Sequence, residues 1–244
     1  MNERYQRQWE ALGTVDPFWA VLSDSRMKDG RWDPDTFFRT GHVEIEVLLK
    51  RVAELGVELS FDTVVDYGCG VGRLSRALSA SFRQVIAVDI SQAMLNVARA
   101  ENQCCSNIRF IRTRGDELMA IPDESVDLVY SNIVLQHSPR RIQALLIAEF
   151  SRILRRGGTL VFQTPSHPNA RSFNGLLHWV AGNRVLNLAR RIKHGKGRVM
   201  EMHAFGKNAV CECLRVAGMA IVDVETEHSA GPAFVSYRYV SVKR

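Results

Sequence analysis

The sequence lacks several features that would place it outside a simple globular class. Its 244 residues include no apolar run near the roughly 20 residues that a membrane-spanning helix needs. No apolar core of a secretory signal follows the opening "MNERYQRQWEALG". Its five cysteines include no C-x-x-C pair, and adjacent or alternating cysteines make poor zinc-ligand pairs. These absences predict a cytoplasmic protein without a structural metal site.

A strong charge excess and internal repeats are also missing. The 32 Lys and Arg residues against 26 Asp and Glu residues give a net charge of +6, which permits an anionic partner without requiring one. The length suits one elaborated domain. We expect a single domain over residues 1–244, with a helical N-terminal cap (1–60), a core (61–164), a basic insertion (165–203) and a C-terminal helix and strand pair (204–244).

Apolar strands alternate with helices from residue 61 onward. The strands are "TVVDYG", "QVIAVDI", "IRFIRT", "VDLVYSNIVL" and "TLVFQTP". Repeated units of this kind predict an α/β fold, with a mostly parallel sheet covered by helices on both faces. The long helix "RRIQALLIAEFSRILRRGG" is expected to end at Gly157 and Gly158, and an earlier helix at Gly56. The short connection between "AIVDVETE" and "FVSYRYVSVK" favours an antiparallel pair at one sheet edge.

The stretch "VVDYGCGVGRLS" places a glycine-rich turn directly after the first strand. Glycines let the backbone approach a ligand closely at the carboxyl end of a sheet. The next strand ends in Asp89, where a carboxylate can accept hydrogen bonds from vicinal ribose hydroxyls. The G-x-G-x-G spacing departs from the dinucleotide pattern, and Asp66 ahead of it disfavours a diphosphate. The pattern therefore indicates a nucleoside that carries a cationic group.

Together with "VIAVDIS", "RTRGDELMAIPDESVDLVYSNIVLQH" and "EFSRILRRGGTLVFQTP", this stretch resembles the class I S-adenosylmethionine-dependent methyltransferases. The similarity runs through residues 60–165 and resumes weakly at 205–244. It implies a Rossmann-like sheet of seven strands whose last strand is antiparallel. It also implies S-adenosyl-L-methionine as the cofactor and S-adenosyl-L-homocysteine as the product.

The resemblance assigns a role to a set of residues near the strand ends. Asp66 and the backbone of Gly68 and Gly70 would hold the methionine part, and Asp89 the ribose. The remaining positions would contact adenine or face the methyl group: Ile90, Asp116 and Glu117 for adenine, Asn132 and Ile133 for the methyl group. The alternatives are a solvated strand-end acid for Asp66 and a loop acid or helix cap for Asp116.

Two histidines are candidate catalytic residues. His137 ends "VLQHS" beyond the fourth strand, where an imidazole suits a general base; the alternative is a histidine that caps the following helix. Gln136 is an alternative orienting residue for the acceptor. His203 could form an acid–histidine pair with Glu201, since residues two apart share a strand face; the alternative is a structural turn. A metal site would need at least a third ligand, which the sequence does not identify.

The absence of two nucleic-acid methyltransferase motifs narrows the class of molecule that can accept the methyl group. "SNIV" follows the fourth strand, where nucleic-acid amino-methylating enzymes would carry [DN]-P-P-[FY], and no Pro-Cys follows it either. A small-molecule acceptor is favoured, with oxygen ahead of nitrogen. The basic insertion leaves open an anionic acceptor, RNA or a lipid headgroup, hence a nucleic-acid methyltransferase or peripheral membrane contact. A non-catalytic cofactor-binding protein is a further alternative, and the oligomeric state is not predicted.

Overall fold

The computed structural model describes residues 3–115, 117–172, 175 and 200–244. The predictions for Asp116 and for most of the basic insertion therefore lie outside the described residues. Within the described part of the chain, no helix is both long enough and apolar enough to cross a membrane.

The N-terminal region is helical, as expected. It contains α1 (Glu3–Val15), α2 (Pro17–Val21), a 3-10 turn (Ser25–Met27) and α3 (Pro34–Glu54). Helix α3 begins earlier than its apolar pattern predicts, because the Asp33 side chain accepts the Thr36 N–H at 2.8 Å and Pro34 occupies the first turn. The helix ends just before Gly56, whose φ of 71° confirms the predicted stop.

Seven strands form one mixed sheet in the order β3-β2-β1-β4-β5-β7-β6. The strands are β1 (Thr63–Tyr67), β2 (Gln84–Asp89), β3 (Ile108–Arg112), β4 (Val126–Ser131), β5 (Leu154–Pro168), β6 (Met219–Glu227) and β7 (Phe234–Lys243). Further helices in the described part of the chain include α4 (Arg73–Ser79), α5 (Gln92–Glu101), a 3-10 helix (Leu135–His137), α6 (Arg140–Ile153) and α7 (Lys207–Val216). Strands β1, β2 and β3 pair in parallel, whereas β7 pairs antiparallel with both β5 and β6. The predicted Rossmann-like α/β class and the antiparallel closing pair are confirmed.

One helix boundary differs from the sequence expectation. Helix α6 ends at Ile153 rather than at Gly157, and Leu154 is already extended. Leu154 is fully buried at the start of β5, and its carbonyl accepts a hydrogen bond from Lys243 Nζ at 2.8 Å. Burial and tertiary hydrogen bonding therefore override the helix propensity of the two arginines that follow.

The chain divides into two compact units. The first comprises residues 1–121 and 125–128, and the second comprises 122–124 and 129–244. In the first unit, the central residues of β1 and β2 are buried on both faces, as parallel strands under helices require. In the second unit, the rings of Phe162 and Tyr239 stack with centroids 5.0 Å apart. The predicted single domain and its internal boundaries stay predictions.

Candidate functional site

The glycine loop between β1 and α4 is tied to the end of β2. The backbone N–H groups of Gly68 and Cys69 both donate to the Val88 carbonyl, at 2.7 and 3.0 Å. Gly68 and Gly70 have φ values of 79° and 55°, which a side chain would disfavour. The loop therefore lies against the end of the next strand, as the sequence motif predicts.

Asp89 connects this loop to the turn that begins α5. Its Oδ2 accepts the Gly70 N–H at 2.9 Å, and its Oδ1 accepts the Ser91 N–H at 2.8 Å. A carboxylate has about four lone-pair sites in all. Burial raises the pKa of Asp89, and hydrogen bonds from the backbone of Ser91, Gly70 and Ile90 oppose that shift. The half-buried carboxylate therefore keeps acceptor capacity for a hydroxyl beside its backbone donors.

Asp66 is buried rather than presented to solvent. Its side chain is 1% exposed, and its Oδ2 accepts a hydrogen bond from the Ser75 hydroxyl of α4 at 2.6 Å. Burial raises the pKa of Asp66 to about 7, while the Ser75 bond and the charge of Arg73 act in the opposite direction. In this geometry Asp66 anchors β1 to α4. Its predicted contact with the methionine part of the cofactor stays a prediction.

A buried ion pair attaches α3 to the start of α4. The Arg73 guanidinium lies 2.6 Å from Glu44 Oε2 and also donates to the Thr40 hydroxyl at 3.3 Å. At Gly41, a Cβ would lie 2.5 Å from the Arg73 carbonyl oxygen, so only glycine permits this approach. Since removing one partner of a buried pair leaves an uncompensated charge, both members are structurally required.

Two contacts from the N-terminal helices reach these loops, and sequence reasoning missed both. The Glu10 carboxylate of α1 accepts the backbone N–H groups of Gln92 at 2.8 Å and Ala93 at 3.1 Å. Val21 of α2 packs on the glycine loop, where a Cβ at Gly70 would lie 2.6 Å from Val21 Cγ2. No local pattern marks either residue, because each contact joins segments far apart in the sequence.

The predicted adenine-side residues follow β2 and β3. Ile90 is largely buried, and its carbonyl accepts from Arg112 Nε at 3.3 Å. The Glu117 carbonyl accepts from the Thr113 hydroxyl at 2.7 Å, which closes the turn after β3. Tyr67 donates its hydroxyl to the Gly115 carbonyl at 2.9 Å and so ties that turn to β1.

In the second unit, a buried chain of amides supports the turn after β4. Ile133 has a φ of 62°, a strained value for a β-branched residue. Its N–H donates to Gln163 Oε1 at 3.2 Å, and the Gln163 amide donates to Gln136 Oε1 at 3.4 Å and to the Ser236 hydroxyl. Asn132 accepts from the Ser229 hydroxyl at 3.4 Å. No sequence motif indicates that Gln163 or Ser236 takes part in this hydrogen-bond network.

His137 lies at the end of this amide chain. Its Nδ1 lies 2.9 Å from the Glu201 carbonyl, which can only accept, so Nδ1 carries the proton and Nε2 accepts from the Gln136 amide at 3.2 Å. Burial lowers the pKa of His137 to about 4, although the Glu201 bond acts to raise it. His137 is therefore neutral near pH 7 with both ring nitrogens engaged. It does not cap α6, which begins at Arg140.

His203 lies on the segment that supplies the Glu201 carbonyl. Its backbone N–H donates to the Gln136 carbonyl at 2.7 Å, and its Nε2 lies 3.8 Å from Glu201 Oε2. The two side chains therefore lie within ion-pair distance, although the segment is not the strand on which the pair was expected. Burial lowers the pKa of His203, Glu201 raises it and Arg140 lowers it further. The side chain of His203 is 27% exposed, and its role as a base stays a prediction. Among the described residues, no group of three His, Cys, Asp or Glu side chains is arranged to hold a metal ion.

Comparison with known proteins identifies the fold and the type of domain. Residues 65–162, which include the glycine loop and Asp89, match the family model of a methyltransferase domain. A magnesium protoporphyrin IX methyltransferase from Synechocystis, solved with bound S-adenosylhomocysteine, superposes with a TM-score of 0.60 over 93% of each chain at 18% identity. At that identity the likeness shows the shared fold.

Two curated relatives carry names that specify oxygen as the methyl acceptor. A malonyl-[acyl-carrier protein] O-methyltransferase from Yersinia pestis is 30% identical over 59% of this chain, which spans 52% of that protein. A ubiquinone biosynthesis O-methyltransferase from Hahella chejuensis is 28% identical over 82% of this chain and 83% of its own length.

Proposed function

We propose that this chain, whose residues 65–162 match a methyltransferase domain, is a class I S-adenosylmethionine-dependent methyltransferase that methylates an oxygen atom of a small-molecule acceptor. The observation that carries the oxygen assignment is the similarity to the Hahella O-methyltransferase, which spans 82% of this chain. That span is wider than the matched methyltransferase domain at residues 65–162. S-adenosylmethionine, when bound, supplies an electrophilic methyl group.

The residues around the glycine loop fit this cofactor. The Asp89 carboxylate keeps acceptor capacity beside its backbone donors, which suits a hydroxyl of a ribose. The loop backbone at Gly68 and Gly70 carries no Cβ, so a ligand can approach it closely. We assign the ribose to Asp89, the methionine part to this backbone, and the adenine to Ile90 and the turn at Glu117.

For the acceptor, we assign the general base to His203 and a positioning role to His137. A base acts best when its pKa lies near the working pH, and burial brings the pKa of His137 down to about 4. His203 is partly exposed; burial lowers its pKa, and the nearby Glu201 carboxylate opposes that shift. His137 donates to the Glu201 carbonyl and so fixes the backbone that carries this pair. The neutral acceptor hydroxyl would lose its proton to His203 as its oxygen bonds to the methyl carbon and the bond from that carbon to sulfur breaks, with S-adenosylhomocysteine as the leaving group.

The experiment measures S-adenosylhomocysteine formation with hydroxyl- and carboxyl-bearing acceptors, some of them anionic. On an active hydroxyl acceptor, His203→Gln should lower kcat by about 100-fold or more, the usual contribution of a general base. Glu201→Gln should move the acid limb of the pH–rate profile to lower pH, because Glu201 raises the pKa of His203. Transfer confined to nitrogen acceptors or RNA would contradict the proposal, as would an unchanged acid limb in both variants.

We also propose a cytoplasmic location. The five cysteines are all free thiols, including the neighbouring Cys104 and Cys105, whose sulfur atoms lie 3.6 Å apart. Free thiols persist in a reducing compartment. Fractionation of cells that express the tagged protein tests this assignment, and recovery outside the cytoplasm would contradict it.

A further inference from the structure

Helix α1 caps the helix that follows Asp89. The first backbone N–H groups of a helix have no partner within it, and in α5 the Glu10 carboxylate takes two of them, from Gln92 and Ala93. Ser91 accepts the Met94 N–H at 3.2 Å and donates its own N–H to Asp89. Glu10 and Asp89 therefore hold the same turn through its backbone.

The packing around this cap is close. At Gly13, one turn along α1 from Glu10, a Cβ would lie 3.1 Å from both the backbone nitrogen and Cγ of Met94. Met94 is 1% exposed, so it has little room to move away. Further along the chain, Val21 packs against Gly70, which donates to Asp89. The N-terminal segment thus contacts both loops that meet at the Asp89 carboxylate.

We propose that Glu10 is a positioning residue of the cofactor site, which holds the turn from Asp89 to Ala93 so that the Asp89 carboxylate faces the ribose hydroxyls. The inference rests on the proposed role of Asp89 in binding the ribose. Glu10 itself acts through the turn and need not touch the ligand, since both of its carboxylate oxygens are engaged by backbone N–H groups.

Glu10 also acts on Asp89 through its charge. The negative charge of Glu10 favours the protonated form of Asp89, in addition to the effect of burial. Other titratable or charged groups face this region from the neighbouring elements: Asp66 of β1, Cys69 of the glycine loop, Arg99 of α5 and Arg112 of β3. Removing the Glu10 charge while these groups stay in place should lower the pKa of Asp89. Ligand binding that needs the ionised carboxylate should then persist to lower pH.

The test is calorimetric titration of the full-length protein with S-adenosylhomocysteine across a pH series. Glu10→Gln keeps the shape of the side chain, but it replaces one carboxylate oxygen by an NH2 group. This NH2 group is a donor and cannot accept the backbone N–H that it faces. The loss of one charge-assisted hydrogen bond should raise Kd about tenfold near neutral pH. The pH at which binding weakens should also fall, a shift that mere loosening of α1 would not produce.

Two further variants keep the test decisive. Glu10→Asp preserves the charge and shortens the reach, so affinity should fall while the pH profile stays that of the wild type. Glu46→Gln removes a charge from an exposed position on α3 and should change neither property. Far-ultraviolet circular dichroism of each variant confirms that the protein is folded before titration.

The outcomes distinguish the role of Glu10 from the proposed cofactor site itself. Weaker binding and a shifted pH profile in Glu10→Gln support the inference. Wild-type affinity and pH profile in that variant, alongside lost binding in Asp89→Asn, would overturn the role of Glu10 alone. Absence of S-adenosylhomocysteine binding by the folded wild-type protein would overturn the proposed cofactor site together with the inference.

Discussion

Replacing Asp89 by Asn is the most direct test of the cofactor site, because the change alters charge and hydrogen bonding but hardly the shape. Asp89 accepts the Gly70 N–H on one oxygen and the Ser91 N–H on the other, and it is proposed to accept from the ribose as well. In the Asp89→Asn variant one oxygen becomes an NH2 group, which meets a backbone N–H with another donor. The variant also loses the acceptor site for one hydroxyl.

The expected size of the effect follows from the bonds that change. Hydrogen bonds to a charged group contribute about 1.5–3 kcal/mol each, so losing one to the ribose should weaken S-adenosylhomocysteine binding by about 10- to 100-fold. The free energy of unfolding should change much less than the binding energy. The variant loses one backbone hydrogen bond, which lowers the free energy of unfolding. It also no longer pays the desolvation cost of a buried charge, which raises that free energy.

The assay is isothermal calorimetry with S-adenosylhomocysteine, paired with urea unfolding of the ligand-free protein. Asp35→Asn, at an exposed position on α3, serves as the matched control and should bind as the wild type does. An Asp89→Asn variant that is folded and binds with wild-type affinity would refute the assignment of the ribose to Asp89.

Two further predictions concern Asp66 and Gly70. Because burial raises the pKa of Asp66 from 3.8 to about 7, its protonation stabilises the fold at low pH, and that contribution is lost as pH rises between these values. Asp66→Asn should therefore gain stability relative to the wild type on going from about pH 5 to about pH 8, on the order of 2 kcal/mol in urea unfolding; a constant difference would contradict this. Gly70→Ala should lower both cofactor affinity and unfolding free energy by about 1–3 kcal/mol, because its φ is positive and its Cβ would overlap Val21. Adding Val21→Ala should restore part of the loss, and no recovery in the double variant would show that the overlap is unimportant.

Much of the cofactor half of the fold could be predicted from local sequence. Alternating apolar strands and helices predict a parallel sheet, and a glycine turn after β1 with an acid at the end of β2 brings Gly70 and Asp89 together. The structure adds the tertiary partners of these residues, which the spacing of motifs along the sequence cannot specify. The burial of Asp66 depends on Ser75, in the second half of the motif, and on Arg73, whose partner Glu44 lies on α3.

The remaining features depend on contacts between distant segments. From the sequence alone, Glu10 is indistinguishable from an ordinary surface acid of an amphipathic helix. Its hydrogen bond to α5 depends on the packing of α1 against α5. The sequence predicts an available base at His137. In the structure both of its ring nitrogens are hydrogen-bonded, one to the Glu201 carbonyl and the other to the Gln136 amide. Gln163 lies within an apolar strand, and its link to Ile133 depends on the pairing of strands far apart in sequence. Such partners are set by tertiary packing, for which hydrophobic periodicity carries no information.

The strand order at the β6 edge constrains how that edge of the sheet can assemble. Strand β7 follows β6 in the chain but lies between β5 and β6, so β6 reaches the sheet only through β7. A chain that has been synthesised only as far as β6 therefore exposes β5 and β6 as two unpaired edges, the kind of surface that promotes aggregation. Docking of the β6–β7 hairpin as a unit pairs the open edge of β5 with β7 and leaves β6 as the final edge strand, so loss of β7 alone would both open β5 and detach β6.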